Sequence, residues 1–177
     1  MLQKFKKGTI LNYKTKKEYR ENAKSLRLRL NMPIISSKIC SLIKKQAFYK
    51  FKNILIFYPF NNEVDLRNLA NDRSKQWYLP RVDLISKSIV IHKYTSDNDL
   101  IKNKWGICEP PCNSEEVDIN IIDVVMIPAL MADKNGHRLG YGAGYYDKFL
   151  PKLRKECIKV VPIPEELFID SLPADHW

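Results

Sequence analysis

The sequence predicts a three-layer α/β fold with a largely parallel sheet, because signals for strands and helices alternate along the chain. Short apolar runs at residues 54–58 and 124–127 are typical of buried strands. Stretches with apolar residues at helical spacing separate such runs. The chain has 177 residues and a hydrophobic fraction of 45%, which is enough for one core, so a single domain is expected.

The first helix is predicted from a capping box, in which Thr15 is followed three positions later by Glu18. One face of this helix is apolar, at Tyr19, Ala23, Leu26 and Leu30. A second face is basic, at Lys16, Arg20, Lys24 and Arg27. The basic face is either exposed to solvent or used for an anionic ligand, and the pattern leaves both open. We expect residues 1–13 to form an N-terminal extension and residues 14–177 to form the domain.

The elements that follow are predicted from local signals. Pro33 is expected to end the first helix, and Ser36 or Ser37 to cap a second one. A loop closes the strand at 54–58 and leads to a short helix that ends near Arg73. Further strands are expected at 76–79, 89–94 and 158–161, and residues 165–172 are either helical or irregular.

The most informative stretch is the glycine-rich segment 133–150. It holds four of the six glycines of the chain, namely Gly136, Gly140, Gly142 and Gly144. An apolar strand precedes it and a helix is expected to begin at Tyr145, an arrangement in which free backbone N–H groups can bind phosphate. Arg138 adds a cation with a bidentate fork. The segment has neither a Walker lysine nor the third glycine of a dinucleotide fingerprint, so a structural turn is the alternative.

Composition argues against several classes of protein. No apolar run of about 18 residues is present, and the basic residues 1–7 are not followed by an apolar core, so neither a membrane span nor a secretory signal is predicted. The four cysteines are expected to be free thiols, since Cys108 and Cys112 have no histidines at a usual zinc spacing. The net charge of +10 fits nucleic-acid binding, attraction of small polyanions or compositional drift. No basic run is interleaved with aromatics, which favours the last two.

The residue pattern of the glycine-rich segment resembles the signature of the 5-formyltetrahydrofolate cyclo-ligase family. The matching residues are Pro128, Ala129, Leu130, Asp133, Gly136, Arg138, Leu139, Gly140, Gly144, Tyr145, Tyr146 and Asp147. Residues 79–82 and 105–110 resemble further stretches of the family, and the resemblance extends over residues 14–177. It implies a fold similar to that of the sugar-phosphate isomerase and CoA-transferase group.

The resemblance also implies an activity. It points to ATP-dependent conversion of 5-formyltetrahydrofolate to 5,10-methenyltetrahydrofolate, with ADP and phosphate released after phosphorylation of the formyl oxygen. It implies ATP and Mg²⁺ as cofactors and a small-molecule folate as substrate. We expect a cytoplasmic monomer without nucleic-acid or membrane partners. The alternatives are a catalytically impaired member that still binds nucleotide or folate, and a basic nucleic-acid-binding protein.

Residue roles follow from the same resemblance. Arg138, Tyr145 and Tyr146 are expected to be catalytic, and Asp147 to bind the metal. The expected ATP site comprises Lys16, Arg20, Arg138, Leu139, Gly140, Tyr141, Gly142, Ala143, Gly144, Tyr145 and Tyr146. The expected folate site comprises Tyr58, Glu63, Arg81, Trp105, Tyr141 and Tyr145.

Some of these residues also have simpler interpretations. Glu63 could be a charge at a helix N-terminus, Trp105 an ordinary buried side chain and Arg81 a surface charge. Ala143 stands where the family has glycine or lysine, so a phosphate-contacting charge is missing if lysine is required. A second metal-binding aspartate of the family would fall just after Trp177. The chain therefore resembles a member shortened at its C-terminus, for which weak Mg²⁺ binding and slow turnover are expected.

Overall fold

The computed structural model describes residues 15–173. The expected N-terminal extension and the last four residues, 174–177, lie outside the described residues. The helices are α1 Lys16–Arg29, α2 Met32–Lys44 and α3 Tyr145–Phe149. The strands are β1 Asn53–Leu55, β2 Gln76–Asp83, β3 Ser88–Lys93, β4 Ile101–Lys102, β5 Cys108–Glu109, β6 Val124–Met126, β7 Met131–Asp133, β8 Arg138–Leu139, β9 Ile158–Val160 and β10 Phe168–Ile169.

A five-stranded sheet in the order β3-β2-β1-β6-β9 forms the centre of the molecule. Strands β2, β1, β6 and β9 run parallel to one another, and β3 returns antiparallel to β2. In the parallel register Ile54 lies opposite both Trp77 and Val124. The predicted largely parallel sheet is therefore confirmed, with one antiparallel edge strand added by a hairpin.

Helices and loops cover both faces of this sheet. Because side chains alternate along a strand, Ile54 and Leu55 point to opposite faces. Ile54 packs in a cluster with Ile43 of α2, and Leu55 packs in a second cluster with Phe149 of α3. Both strand residues are fully buried. This arrangement confirms the predicted three-layer α/β fold.

A second, three-stranded sheet in the order β10-β7-β8 was not predicted. It shares a third apolar cluster with α1, formed by Tyr19, Ala23, Leu130, Met131, Leu139, Leu167, Ile169 and Leu172. Strands β7 and β8 form a hairpin whose turn contains Gly136 at φ +83°, a conformation that glycine adopts without strain. The hairpin brings Arg138 back beside the strand that precedes it, and so fixes where the glycine-rich segment begins.

Asp133 ties this hairpin to the C-terminal part of the described chain. Its Oδ1 accepts the backbone N–H groups of Asn135 and His137, both at 2.9 Å. Its Oδ2 accepts the buried N–H of Leu172 at 2.9 Å. Burial disfavours the charged carboxylate, but these hydrogen bonds outweigh burial and lower the pKa of Asp133. The side chain thus holds the base of the glycine-rich segment in place.

The capping box at the start of α1 is confirmed. Thr15 Oγ1 accepts the N–H of Glu18 at 3.3 Å, and the Glu18 carboxylate accepts the N–H of Thr15 at 3.1 Å. Tyr19 and Ala23 of the apolar face are buried as expected. The interpretation of the basic face as solvent-exposed is wrong for Arg27, which is only 2% exposed.

The predicted start of the second helix is also wrong. Helix α2 begins at Met32, and Asn31 caps it by accepting the N–H of Ile34 at 3.3 Å. Pro33 lies in the first turn, where its missing N–H costs nothing, rather than separating two helices. Ser36 lies inside α2 and is buried, where its hydroxyl accepts the N–H of Asp65.

Other element boundaries differ from the predictions. The strand expected at 54–58 is β1, Asn53–Leu55, although the N–H of Ile56 still donates to the carbonyl of Tyr78 at 2.9 Å. The short helix after it is a 3₁₀ helix, Arg67–Asn71. Residues 165–172 form the 3₁₀ helix Glu165–Leu167 and then β10, which pairs with β7. In the part of the chain that the structure describes, no helix is long and apolar enough to cross a membrane.

Candidate active site

A pocket of about 450 Å³ lies where the parallel strands β1 and β6 end. Open α/β sheets commonly bind ligands beyond the carboxyl ends of their strands. The pocket has three walls. The first is the loop after β1, the second is formed by residues of β2 and β3 and by the segment 103–109, and the third is the glycine-rich segment. The residues that line it include Tyr58, Glu63, Trp105, Glu109, Arg138, Gly140, Tyr141, Gly142, Ala143, Gly144, Tyr145, Tyr146 and Asp147.

The structure therefore brings most of the expected site residues together. Four of them stand apart from the lining: Lys16 and Arg20 on α1, Arg81 on β2, and Leu139 on β8. Leu139 is buried in the third apolar cluster, so its contribution is to packing. The roles assigned to the lining residues stay predictions.

Glycines shape the segment 140–144, which we call the glycine loop. Gly142 has φ +103° and Gly144, which precedes α3, has φ +73°. A side chain at Gly142 would place its Cβ 3.4 Å from Cζ of Arg20. Arg20 also donates from Nε to the carbonyl of Gly140 at 3.0 Å. The loop backbone and this arginine thus lie in direct contact, although Arg20 belongs to a distant helix.

Arg138 and Asp147 form an ion pair at the other side of the loop. Nη2 of Arg138 lies 2.5 Å from Oδ1 of Asp147. The guanidinium also lies over the ring of Tyr146, 5.7 Å from its centroid. Helix α3 has only five residues, so its dipole is weak.

Glu63 is the buried acid of the pocket, with 7% of its surface exposed. Its Oε2 accepts the N–H of Phe60 at 3.0 Å. Burial raises the pKa of Glu63 to about 7, even though the Phe60 N–H, the charge of Arg27 and a hydrogen bond from Tyr141 act in the opposite direction. Glu63 therefore changes charge near neutral pH.

Two tyrosines of the pocket keep their protons. Burial, followed by the nearby charge of Glu63, raises the pKa of Tyr141 and of Tyr146. The hydroxyl of Tyr146 is buried and has no hydrogen-bond partner among the described residues. The Tyr141 proton is already donated to Glu63, so the Tyr146 hydroxyl is the one that can donate a hydrogen bond to a ligand across the neutral range.

Aromatic rings form the rim of the pocket. Trp105 is 43% exposed, which excludes its interpretation as an ordinary buried side chain. It meets Tyr145 edge to face, with ring centroids 6.4 Å apart. Tyr58 accepts a hydrogen bond from Arg67 at 3.0 Å, and that guanidinium lies 5.0 Å from the ring centroid. These rings offer flat apolar surfaces to a planar ligand.

Glu109 lines the pocket, whereas Arg81 does not line it and contacts Glu109 instead. The Arg81 Nε lies 3.9 Å from a carboxylate oxygen of Glu109, which is itself buried. Asn103 donates to the same carboxylate at 2.9 Å. Neither Glu109 nor Asn103 was predicted to be a site residue. Their only signal was that they lie in or beside the family-like stretch 105–110.

The donor set limits which metal the site can hold. Residues 15–173 contain no group of three or more His, Cys, Asp or Glu side chains suited to a metal ion. All four cysteines, Cys40, Cys108, Cys112 and Cys157, are free, which agrees with the expectation of free thiols. Asp147 offers a single carboxylate, so it fits Mg²⁺ only if a ligand such as a phosphate group supplies further oxygens.

Comparisons with known proteins give one consistent family. The model of the 5-formyltetrahydrofolate cyclo-ligase family matches residues 14–177. The cyclo-ligase of Haemophilus influenzae is 30% identical over 132 residues, which span 71% of each chain. The cyclo-ligase of Mus musculus is 29% identical over 142 residues, 75% of this chain and 66% of the relative.

Solved structures agree with this result. The structure of 5,10-methenyltetrahydrofolate synthetase from Aquifex aeolicus superposes with a TM-score of 0.78 and 30% identity, over 92% of this chain and 84% of that one. The synthetase from Mycoplasma pneumoniae, at 21% identity and a TM-score of 0.68 over 93% of both chains, supports the fold alone. By the family match and its relatives, this chain belongs to the 5-formyltetrahydrofolate cyclo-ligase family.

Proposed function

We propose that this protein converts 5-formyltetrahydrofolate to 5,10-methenyltetrahydrofolate in a reaction that consumes ATP and releases ADP and phosphate. One observation carries the proposal: a single pocket holds a buried acid, Glu63, together with a glycine loop and Arg138. An acid of this kind suits the polar edge of a pterin, and a loop of this kind suits phosphate groups. One cavity thus offers a surface for the pterin of the folate and a surface for the phosphate groups of ATP.

The folate end is proposed to lie against Glu63 and the aromatic rim. The ionised carboxylate can accept hydrogen bonds from the pterin amino group and ring N–H. Trp105 and Tyr145 can stack on the ring system or on the group attached to it. Since Glu63 has a pKa of about 7, a ligand that donates hydrogen bonds to it favours the charged form.

The phosphate end is proposed to lie on the glycine loop. Gly142 and Gly144 have positive φ angles, which leaves the backbone free of side chains where phosphate oxygens would approach. Arg138 lines the pocket, and Arg20 supports the loop from α1. Lys16 lies one helical turn before Arg20 on the same helix, from which it can contribute long-range positive potential.

The chemistry needs no nucleophile from the protein. A formamide oxygen is a poor leaving group, and ATP would supply the phosphoryl group that lets this oxygen leave as phosphate while N10 closes the ring. The residues of this chain bind and orient both substrates, since phosphoryl transfer depends mostly on positioning and charge neutralisation. Arg138 would neutralise phosphate charge, and the Tyr145 and Tyr146 rings would exclude water between the two ends.

Asp147 is proposed to hold Mg²⁺ together with phosphate oxygens. Its side chain is 75% exposed at the pocket, and its present partner is Arg138. A hard carboxylate oxygen suits this ion, which usually keeps several waters and uses few protein ligands. Phosphate binding would therefore separate the two side chains, with the arginine turning to phosphate and the aspartate to the metal.

The test is formation of the methenyl product by purified protein, followed by its ultraviolet absorbance. Product should require both ATP and 5-formyltetrahydrofolate, with ADP released in equal amount. Glu63→Gln should raise KM for the folate and leave ATP affinity unchanged. If no product forms although both ligands bind, the protein is an impaired member of the family. If it binds neither ligand but binds RNA or DNA with a steep salt dependence, a nucleic-acid function replaces the proposal.

The proposal includes a monomeric protein in the cytoplasm. Free cysteines are typical of a reducing compartment. Light scattering of the purified protein at several concentrations tests the monomer, and fractionation of the source cells tests the compartment.

A further inference from the structure

A buried arginine outside the pocket lining reaches into the site from α1. Arg27 is 2% exposed, although it belongs to the basic face of its helix. Its Nη1 donates to the hydroxyl of Tyr141 at 3.2 Å, and its Nη2 donates to the carbonyl of Ala129. A guanidinium this deeply buried needs hydrogen bonds and a compensating negative charge, because removing it from water is costly.

Tyr141 links this arginine to the acid of the pocket. The residue lies between Gly140 and Gly142, so it is part of the glycine loop. Its hydroxyl accepts a hydrogen bond from the Arg27 guanidinium at 3.2 Å. Tyr141 and Glu63 line the same pocket, and a hydrogen bond from this hydroxyl lowers the pKa of Glu63. A continuous path of three side chains therefore runs from helix α1, through the glycine loop, to the loop that follows β1.

The charges along this path depend on one another. Four groups face Glu63: the Arg27 guanidinium from α1, the Tyr141 hydroxyl from the glycine loop, the Tyr146 hydroxyl from α3, and the N–H of Phe60 from its own loop. Arg27 is the cation among them. Removing it would leave a carboxylate with 7% exposure to bear its charge without a counter-charge.

We propose that Arg27 is a positioning residue, which favours the carboxylate form of Glu63 and fixes the Tyr141 hydroxyl so that the folate end and the glycine loop are set in place together. Arg27 touches neither substrate in this proposal and acts through the two side chains it orders. The inference deepens the proposed function, on which it rests for the identity of the ligand at Glu63. The link among the three side chains is independent of that identity.

Direct titration of Glu63 in the ligand-free protein tests the link. Protein labelled with ¹³C at the glutamate carboxyl carbons is titrated by NMR, and the Glu63 signal is assigned from its loss in Glu63→Gln. In Arg27→Met the Glu63 midpoint should rise by about one pH unit, the lower end of the effect of a close opposite charge. The matched control is Arg29→Met, which removes one exposed charge from the same helix and should leave the midpoint unchanged.

Two further variants keep the test decisive if Arg27→Met does not fold. Tyr141→Phe removes only the bridging hydroxyl, so the Glu63 midpoint should rise by a smaller amount. Arg27→Lys retains the positive charge, so its Glu63 midpoint should stay close to that of wild type. Adding Tyr141→Phe to Arg27→Lys should move the midpoint further from wild type. A Glu63 midpoint that stays within about 0.3 pH unit of wild type in Arg27→Met, or in Tyr141→Phe where the first variant is unfolded, overturns the proposal.

A binding experiment separates this inference from the proposed function. The dissociation constant for 5-formyltetrahydrofolate is measured against pH by tryptophan fluorescence quenching, for wild type and Arg27→Met. Binding should weaken as Glu63 takes up its proton, and this weakening should begin at higher pH in the variant. If the Glu63 midpoint moves but wild type binds no folate, the proposed function fails and the positioning role stands. If folate binds and the midpoint does not move, the positioning role fails alone.

Discussion

Arg138 donates from Nη2 to Oδ1 of Asp147 at 2.5 Å, so the two charges that face the glycine loop neutralise each other in the ligand-free protein. The arginine side chain is 13% exposed and the aspartate side chain is 75% exposed. A well-hydrated aspartate is a weak competitor for a phosphate group of higher charge. The pair can therefore open at small cost, and it holds the arginine close to the place where we expect phosphate to bind.

The first prediction is that Arg138→Ala weakens ATP binding. A hydrogen bond to a charged group contributes about 1.5–3 kcal/mol, which corresponds to a loss of roughly 10- to 150-fold in affinity. Isothermal titration calorimetry with ATP measures the effect. The control is Arg73→Ala, which removes an exposed arginine that does not line the pocket. Equal affinities for wild type and Arg138→Ala would remove Arg138 from the phosphate site.

The second prediction concerns the metal and uses Asp147→Asn. In the presence of EDTA the variant should bind ATP at least as tightly as wild type, because Arg138 loses its competitor and a negative charge leaves the site. In the presence of Mg²⁺ wild type should gain affinity and the variant should gain much less, since an amide oxygen is a weaker ligand for this ion. The same gain from Mg²⁺ in both proteins would exclude Asp147 as the metal ligand.

Local signals predicted the elements that depend on neighbours in sequence. The capping box at Thr15, the apolar strand that became β6 and the helix that begins at Tyr145 were all predicted, because a few adjacent residues decide each of them. The start of α2 was missed because proline has two positional meanings: it ends a preceding helix, but it also fits the first turn of a new one. Here Asn31 caps α2 by accepting the N–H of Ile34, so Pro33 lies in the first turn of the new helix.

Contacts between distant residues could not be predicted from local patterns. Arg27 was grouped with a basic face, but its partner Tyr141 lies 114 positions away and removes it from solvent. Strand β10 was left undecided, since its pairing partner β7 lies far upstream and both strands are very short. The glycine loop was predicted from its own residue pattern, whereas the role of Glu63 came from the family resemblance. Glu109 was missed because only folding places its carboxylate in the pocket.

The third prediction is a pH dependence of stability that Glu63→Gln removes. The pKa of Glu63 rises from 4.5 in the reference state to about 7 in the folded protein. A carboxyl with a raised pKa binds its proton more tightly when folded, so its contribution to stability is present below the unfolded pKa and is lost as pH rises through about 7. As pH rises from the unfolded pKa to the folded pKa, the free energy of unfolding of wild type should fall by up to about 3 kcal/mol relative to Glu63→Gln. Each pKa unit corresponds to about 1.4 kcal/mol.

Urea unfolding at a series of pH values measures this difference. Glu156→Gln, which changes an exposed glutamate outside the pocket, should follow wild type throughout. Parallel stability profiles for wild type and Glu63→Gln would mean that Glu63 titrates normally, and that burial does not raise its pKa.

The fourth prediction compares alanine at two glycines with positive φ. Gly142 has φ +103° and Gly136 has φ +83°, so alanine at either position strains the backbone by at least about 1–2 kcal/mol. Only at Gly142 does the new Cβ meet a functional group, since it lies 3.4 Å from Cζ of Arg20, whereas Gly136 has nothing within 4 Å. Gly136→Ala should therefore lower stability and leave ATP affinity unchanged.

Gly142→Ala should lower both stability and ATP affinity, the latter by about tenfold or about 1.4 kcal/mol. The reason is backbone strain: φ +103° is unfavourable for alanine, so the loop shifts at the point where Gly140 accepts a hydrogen bond from Arg20, although the new Cβ itself would make only an ordinary contact with that arginine. Thermal unfolding and calorimetry on the two variants separate strain from binding. Unchanged ATP affinity in a folded Gly142→Ala would show that phosphate binding does not depend on the contact between the glycine loop and Arg20. An equal loss of affinity in both variants would assign the effect to stability of the β7–β8 hairpin and its neighbours rather than to the loop itself.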